Sequence, residues 1–221
     1  HCLDSLGAQT RRHDHIHVTD DGSYVDYTRA RAWFLTKARV AGIAVTWVRT
    51  PNQGKRHALA EGFRAAPNAD VYLCVDSDTV LAKDALALAL RPFSKRSIHA
   101  VTGLVLARNR AVNILTRLID MRYMNAFLGE RVAYSRFGSV LCVCGSLALY
   151  RGWVVRKHLP DFLGQTFLGR PCTAGDDRRL TYYALVEGQA VIQPAAVART
   201  DVPEGLGHYA RQQVRWTKSF I

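Results

Sequence analysis

Short apolar runs alternate with longer amphipathic stretches along most of the chain. That alternation predicts β-α units and a largely parallel central sheet flanked by helices, the α/β class. Strands are predicted at 15–19, 43–48, 71–75, 100–107 and 140–150, with extended chain at 191–200. Helices are predicted at 24–41, 55–66, 83–90, 113–130, 177–187 and 206–220. Turn chemistry marks the joints: Asp20-Asp21-Gly22-Ser23 closes the first strand, Pro51-Asn52-Gln53-Gly54 leads into the second helix, and Pro67-Asn68 ends it. No internal repeat, low-complexity stretch or linker interrupts residues 1–221, so the reading is one domain.

The pattern delivers three clusters of chemistry in a fixed order. Asp76 and Asp78 follow the buried run 71–75, at the carboxyl end of a strand where open α/β sheets place their ligands. Two carboxylates one residue apart can reach one hard cation, and Mg²⁺ or Mn²⁺ typically takes one or two carboxylates plus substrate phosphates. Asp78 is the first choice for metal contact and Asp76 for metal or nucleotide, while Ser77 and Thr79 read as turn-formers. Asp177, in Gly175-Asp176-Asp177, opens a helix among arginines, where it is either a general base for a hydroxyl proton or an ordinary N-terminal acid favourable to the helix dipole. Gln212, Arg215 and Trp216 fall within about one helical turn and can share a face. There Arg215 suits a diphosphate and Trp216 offers a platform for a sugar ring, and the plain alternative is an amphipathic helix with a core Trp. Any one cluster alone is common; the ordered set reads as a sugar-nucleotide transferase site.

Two earlier segments join this rim. Asp20 and Asp21 end a strand and can accept from a base N–H or a ribose hydroxyl, though Asp-Asp-Gly-Ser also serves as a plain turn. Lys55 opens a helix directly after Gly54, where backbone N–H groups and an ammonium can meet a phosphate. His13, His15 and His17 alternate along one strand face, a spacing open to a transition metal; a hydrated surface is the reading adopted, because the Asp-x-Asp site wants oxygen ligands.

The composition, 48% hydrophobic and 22% charged, is that of a globular domain, but the net charge of +12 asks for an anionic partner. The basic residues are interspersed with acids and form no run of five or six, which argues against a nucleic-acid arm. Five cysteines, Cys2, Cys74, Cys142, Cys144 and Cys172, are odd in number and sit mostly in apolar runs, which suits buried thiols in a reducing compartment. Cys142 and Cys144 would point the same way from a strand, but no second pair follows at zinc-site spacing. The longest apolar stretch, 140–150, is well short of the roughly 18–20 residues that span a bilayer.

The chain resembles the processive inverting β-glycosyltransferases of family 2, which include hyaluronan, chitin and cellulose synthases. The resemblance is carried by Thr19-Asp20-Asp21-Gly22-Ser23, Gly54-Lys55-Arg56-His57-Ala58, Val75-Asp76-Ser77-Asp78-Thr79 and Thr116-Arg117-Leu118-Ile119-Asp120. It continues through Gln165-Thr166-Phe167-Leu168-Gly169, Gly175-Asp176-Asp177-Arg178, Thr200-Asp201-Val202-Pro203 and the block 211–220. Gly175-Asp176-Asp177 and Trp216-Thr217-Lys218-Ser219-Phe220 favour the hyaluronan branch over the chitin-forming one, which tends to carry Gly-Glu-Asp. The resemblance implies a GT-A fold with a Rossmann-like nucleotide half and an acceptor half. It implies UDP-GlcNAc and UDP-GlcA as donors, a growing polysaccharide chain as acceptor, and Mg²⁺ or Mn²⁺.

Residue by residue, it implies Asp20 and Asp21 on uridine, Lys55 and Arg56 on the diphosphate, Asp76 and Asp78 on nucleotide and metal, and Asp177 as the base. Gln212 and Arg215 would secure the diphosphate, with Asp176, Trp216 and Cys144-Gly145-Ser146 at the acceptor. Cys144-Gly145-Ser146 stands where hyaluronan synthases commonly carry Ser-Gly-Pro. A first strand and membrane helices are expected outside residues 1–221, so the chain reads as a segment of a protein at the cytoplasmic face of the cell membrane, where anionic lipid and anionic substrates suit its charge. A chitin or N-acetylglucosaminyl oligosaccharide synthase, a non-catalytic nucleotide-binding fragment and a nucleic-acid module are the competing readings.

Overall fold

The computed structural model describes residues 1–167, 169–172 and 174–218. A short helix, α1 (Cys2–Gly7), precedes a parallel strand pair, β1 (His15–Asp21) and β2 (Ala44–Thr50), joined by α2 (Thr28–Val40). Helix α3 (Lys55–Ala65) leads to β3 (Val71–Cys74), followed by β4 (Val80–Leu81), α4 (Ala85–Leu90) and β5 (Ile98–Ala107). A long helical stretch follows as α5 (Ile114–Met124), a π-helical turn (Asn125–Arg131) and α6 (Val132–Arg136). The chain then runs through β6 (Ala148–Arg151), α7 (Gly152–Gly164), the hairpin β7 (Thr166–Phe167) and β8 (Arg170–Pro171), α8 (Asp176–Glu187), β9 (Gln189–Thr200) and α9 (Leu206–Lys218).

The main sheet has the order β3-β6-β5-β9-β4. Its pairing is mixed rather than largely parallel, which corrects the sequence expectation: β5–β9 is parallel, while β3–β6, β5–β6 and β4–β9 are antiparallel. An apolar run carries no information about strand direction, and β6 inserts between β3 and β5 pointing the other way. Being reversed against both neighbours, it leaves β3, β5 and β9 running together. Their carboxyl ends and the amino end of β6 therefore share one rim.

The sheet is covered on both faces. Along β6, Leu149 packs into one core with α4 residues Leu86 and Ala89, whereas Ala148 and Tyr150 enter a second core with Val154, Phe162, Leu180 and Ala184 from α7 and α8. This is strand alternation read out as two layers. Phe162 and Leu149 are fully buried, each worth about 1.5–3 kcal/mol of apolar transfer.

Other boundaries move for local reasons. Helix α2 starts at Thr28, not 24, because Asp26 Oδ1 takes the Thr28 N–H at 2.9 Å and its hydroxyl at 2.6 Å. The predicted strand 140–150 is extended only from Ala148: upstream, Val143 N–H bonds the Thr181 hydroxyl (2.9 Å) and Leu147 N–H bonds the Cys144 carbonyl (3.0 Å), so those groups never enter a ladder. The apolar side chains of Val140, Val143 and Leu147 are still fully buried, which explains the strand-like pattern. In the 116–120 motif, Thr116 completes a capping box with Asn113, Ile119 is core, and buried Asp120 accepts the Ala107 N–H at 2.8 Å, tying α5 to the end of β5. Helices α1 and α7 and the β7–β8 hairpin had no counterpart among the expected elements. Leu168, Ser219 and Phe220 of the quoted motifs lie outside the described residues.

Candidate functional site

After β3 the chain turns through Val75-Asp76-Ser77-Asp78, the Asp76 carbonyl accepting the Thr79 N–H at 3.0 Å. The turn sends its two carboxylates to different neighbours. Asp76 Oδ1 accepts from Lys55 Nζ at 2.5 Å and Oδ2 from the Ser146 hydroxyl at 3.3 Å. Asp78 Oδ1 accepts from the Thr200 hydroxyl at 3.1 Å, at the end of β9.

Lys55 is aimed by the loop before it. Asp21, ending β1, accepts the N–H groups of Gln53 (2.9 Å) and Gly54 (2.8 Å). Gly54, at φ 91°, takes a backbone conformation that a side chain would strain, and α3 begins on the next residue. Asp20 accepts the Ser23 N–H at 2.9 Å and lies 3.7 Å from Arg49 Nε. The first helix turn of α8 faces the same place: Asp176 Oδ2 is 3.7 Å from Lys55 Nζ. Lys55, Asp76, Gly145, Asp176 and Asp177 line one small pocket with Tyr150. Gly145 sits flush against the ion pair, since a Cβ there would meet Lys55 Nζ at 3.1 Å.

The electrostatics follow from this crowding. Loss of water around the Lys55 ammonium opposes its charge, but Asp76, with Asp176 and Asp177 behind it, more than reverses that and holds its pKa above the ordinary value. Burial pushes the Asp176 carboxyl up, and Lys55 only partly offsets it. Burial, then the neighbouring Asp177 charge, pushes the Cys142 and Cys144 thiols up, so both are neutral. At the end of β1, the Ser23 hydroxyl and amide hold Asp20 below its usual value.

Not every expected residue arrives at this pocket. Arg56 turns inward and is buried: its guanidinium donates to Phe162 O (2.8 Å), Gln165 Oε1 (2.6 Å) and Ala174 O (3.2 Å). Held by those acceptors, it anchors the segment before α8 and does not line the pocket around Lys55. Gln212, Arg215 and Trp216 lie on α9, which is tied to α5 by Arg122 Nη1 donating to Tyr209 Oη and Gln213 Oε1, each at 2.7 Å. Gln212 and Trp216 lie on its half-buried side, and Arg215 is exposed. Cys144-Gly145-Ser146 forms a tight loop rather than strand, with Cys142 and Cys144 free along with the other three cysteines. His13, His15 and His17 are half-buried instead of hydrated, and both ring nitrogens of His17 lack a hydrogen-bond partner.

Sequence reasoning missed Thr200 as the partner of Asp78 and Cys142 as a neighbour of Asp177, whose Oδ2 its thiol approaches at 3.5 Å. No spacing signals either contact, because each joins segments far apart in the chain.

The donor set fits a hard divalent cation shared with phosphate. Among the described residues no group of three or more His, Cys, Asp or Glu stands ready to hold a metal alone. Asp78 offers carboxylate oxygen at the rim, and one or two such ligands suffice when substrate phosphates supply the rest.

A family model described as glycosyltransferase like family 2 matches residues 1–219. The hyaluronan synthase of Streptococcus pyogenes is 42% identical over 221 residues, covering 99% of this chain and 52% of that protein. An N-acetylglucosaminyltransferase of Azorhizobium caulinodans is 46% identical over 169 residues, covering 76% of this chain and 42% of that protein. The chain thus spans about half the length of the curated relatives it matches. Among solved structures, the mannosyltransferase PcManGT from Pyrobaculum calidifontis, in complex with GDP-Man and Mn²⁺, superposes with a TM-score of 0.71 at 24% identity, covering 99% of this chain and 56% of that one. The likeness shows the fold, which is GT-A.

Proposed function

Because this chain belongs to glycosyltransferase like family 2, we propose that it is the sugar-transfer domain of a membrane polysaccharide synthase of hyaluronan type, using UDP-GlcNAc and UDP-GlcA. The observation that carries the reading is the Lys55–Asp76–Asp176 ion cluster, closed by Gly145 and sharing its pocket with Asp177. One cation among carboxylates, flush against a small-residue loop, is an arrangement that can take a diphosphate on one side and a sugar hydroxyl on the other.

Asp20 and Asp21 would meet the uridine and Lys55 the diphosphate, with Asp78 and Asp76 holding Mg²⁺ or Mn²⁺. The bound cation would neutralise charge on the departing diphosphate. Asp177 would take the proton of the acceptor hydroxyl as its oxygen bonds to the anomeric carbon from the face opposite the diphosphate. The old carbon–oxygen bond breaks in the same event, UDP leaves with the electron pair, and the anomeric centre inverts. Asp176, Cys144-Gly145-Ser146 and Trp216 would orient the acceptor end of the polysaccharide, while Gln212 and Arg215 secure the diphosphate. No helix of the described residues is long and apolar enough to cross a membrane; segments outside this chain would hold the domain at the cytoplasmic face.

The test is radiolabel incorporation by the full-length protein that contains this chain, in Mn²⁺ or Mg²⁺, with UDP-GlcNAc alone, UDP-GlcA alone or both, beside Asp177→Asn. Polymer only with both donors, lost in Asp177→Asn, is the expected result; an active Asp177→Asn overturns the base assignment. The 46% identity to an N-acetylglucosaminyltransferase supports a second reading, a synthase of N-acetylglucosaminyl chains. Polymer from UDP-GlcNAc alone would select it, and nucleotide binding without product in every arm would leave a non-catalytic module.

A further inference from the structure

Cys142 reaches the carboxylate of Asp177 from outside α8. Its Sγ lies 3.5 Å from Asp177 Oδ2, while Oδ1 is occupied by the Arg178 N–H at 2.8 Å. The contact is built, because the backbone around Cys142 is pinned from three sides. Arg131, at the end of the π-helical turn, donates Nε to the Cys142 carbonyl at 3.2 Å and stacks over Phe127 with its guanidinium 4.1 Å from the ring centroid. The next residue, Val143, gives its N–H to the Thr181 hydroxyl, which in turn donates to the Asp177 carbonyl at 2.6 Å. Tyr150 Oη, fully buried, stands 3.2 Å from the Val143 carbonyl and 3.3 Å from that of Asp177. Loop 140–147 and the first turn of α8 are thus locked together by Thr181 and Tyr150, with the Cys142 thiol held against the carboxylate.

The chemistry of a thiol suits this place. Burial and the adjacent Asp177 charge keep it protonated, so it is a poor nucleophile and metal ligand and can act here as a donor. An S–H is a weak donor compared with a hydroxyl. It can still fix the direction of Oδ2, a role that a serine hydroxyl in the same place would also fill. π-helical turns recur at functional sites, and here the one between α5 and α6 supplies the arginine that holds the loop.

We propose that Cys142, anchored by Arg131, is a positioning residue for Asp177, orienting Oδ2 toward the acceptor hydroxyl while leaving it free to accept a proton. The proposal rests on Asp177 being the base. Its test uses the full-length protein with Cys142→Ala, Cys142→Ser and Asp177→Asn, measuring kcat, donor KM, UDP binding and thermal stability for each. Losing one weak hydrogen bond to a charged group predicts a kcat about fivefold to tenfold lower in Cys142→Ala, with donor KM and UDP affinity within about twofold of the parent. Cys142→Ser, which keeps a donor at the same place, recovers to within about threefold.

Three results overturn the proposal: parental kcat in Cys142→Ala, a KM increase at unchanged kcat, or a Cys142→Ser loss as deep as that of Cys142→Ala. If Cys142→Ala melts too early to assay, Cys142→Ser decides by itself, parental UDP binding with a tenfold kcat loss counting against the role. Failure of the underlying base assignment is seen separately, as activity in Asp177→Asn whatever Cys142 does.

Discussion

Gly145→Ala separates the stability of the fold from the geometry of the site. Gly145 is not among the residues at positive φ, so alanine meets no backbone strain there. A Cβ at this position falls 3.1 Å from Lys55 Nζ and 3.4 Å from Asp76 Oδ2. Ordinary van der Waals contact begins near 3.4 Å, so the ammonium must retreat by a few tenths of an ångström. The Lys55 side chain is 48% exposed and can give way, so the energy of the clash is small. What changes is aim: Lys55 leaves the position set by its 2.5 Å bond to Asp76. Since a misplacement of about 1 Å at a reacting centre costs on the order of 10²-fold, a shift of a few tenths of that should lower kcat/KM about fivefold. Stability should hold or rise, because alanine reduces the freedom of the unfolded chain by about 0.4–1 kcal/mol. The assay pairs initial rates of sugar incorporation by the full-length protein with a thermal melt. Parental kcat/KM in a well-folded Gly145→Ala would refute the placement of the Lys55–Asp76 pair at the reacting centre.

Arg56→Met should act through the fold. It strands the carbonyls of Phe162 and Ala174 and the Gln165 amide, for a loss of about 2–4 kcal/mol. At about 2–4 °C per kcal/mol for a domain of this size, Tm should drop on the order of 10 °C, with protease sensitivity rising around 162–174. A parental melt with a raised donor KM would instead return Arg56 to the diphosphate. Asp176→Asn should stabilise in a pH-dependent way. The folded-state pKa of Asp176 lies above the ordinary 3.8, so the native state favours its protonated form; the associated stability is present at low pH and is lost as pH rises through the folded value. The melting gain of the variant should therefore be near zero at about pH 4 and grow toward neutrality; a variant equally destabilised at both pH values would show that the Lys55–Asp176 contact outweighs burial.

The residues of the candidate site stand out in the sequence because their signals are local. The acids at 20–21, 76–78 and 176–177 announce themselves by type, by spacing and by position after an apolar run or a glycine, and Lys55 by following Gly54 at a helix start. Where the reading failed, the deciding partner was distant. Arg56 looks the same in sequence as its neighbour Lys55, yet Lys55 faces Asp76 while Arg56 is drawn inward by acceptors more than 100 residues along the chain. Val140, Val143 and Leu147 imitate a strand because burial requires apolar residues whether or not the backbone pairs.

By itself, then, the sequence determined most of the helices and strands, though not α1, α7, the β7–β8 hairpin or the non-strand backbone of 140–147, together with the main turns and the acids at their ends, since periodicity, caps and turn residues act over a few positions. Tertiary structure decided the reversed direction of β6, the division of Asp76 and Asp78 between Lys55 and Thr200, the inward commitment of Arg56 and the contact of Cys142 with Asp177. Each depends on which remote segment fills the adjoining space, and only close packing of the two cores against the sheet selects that neighbour.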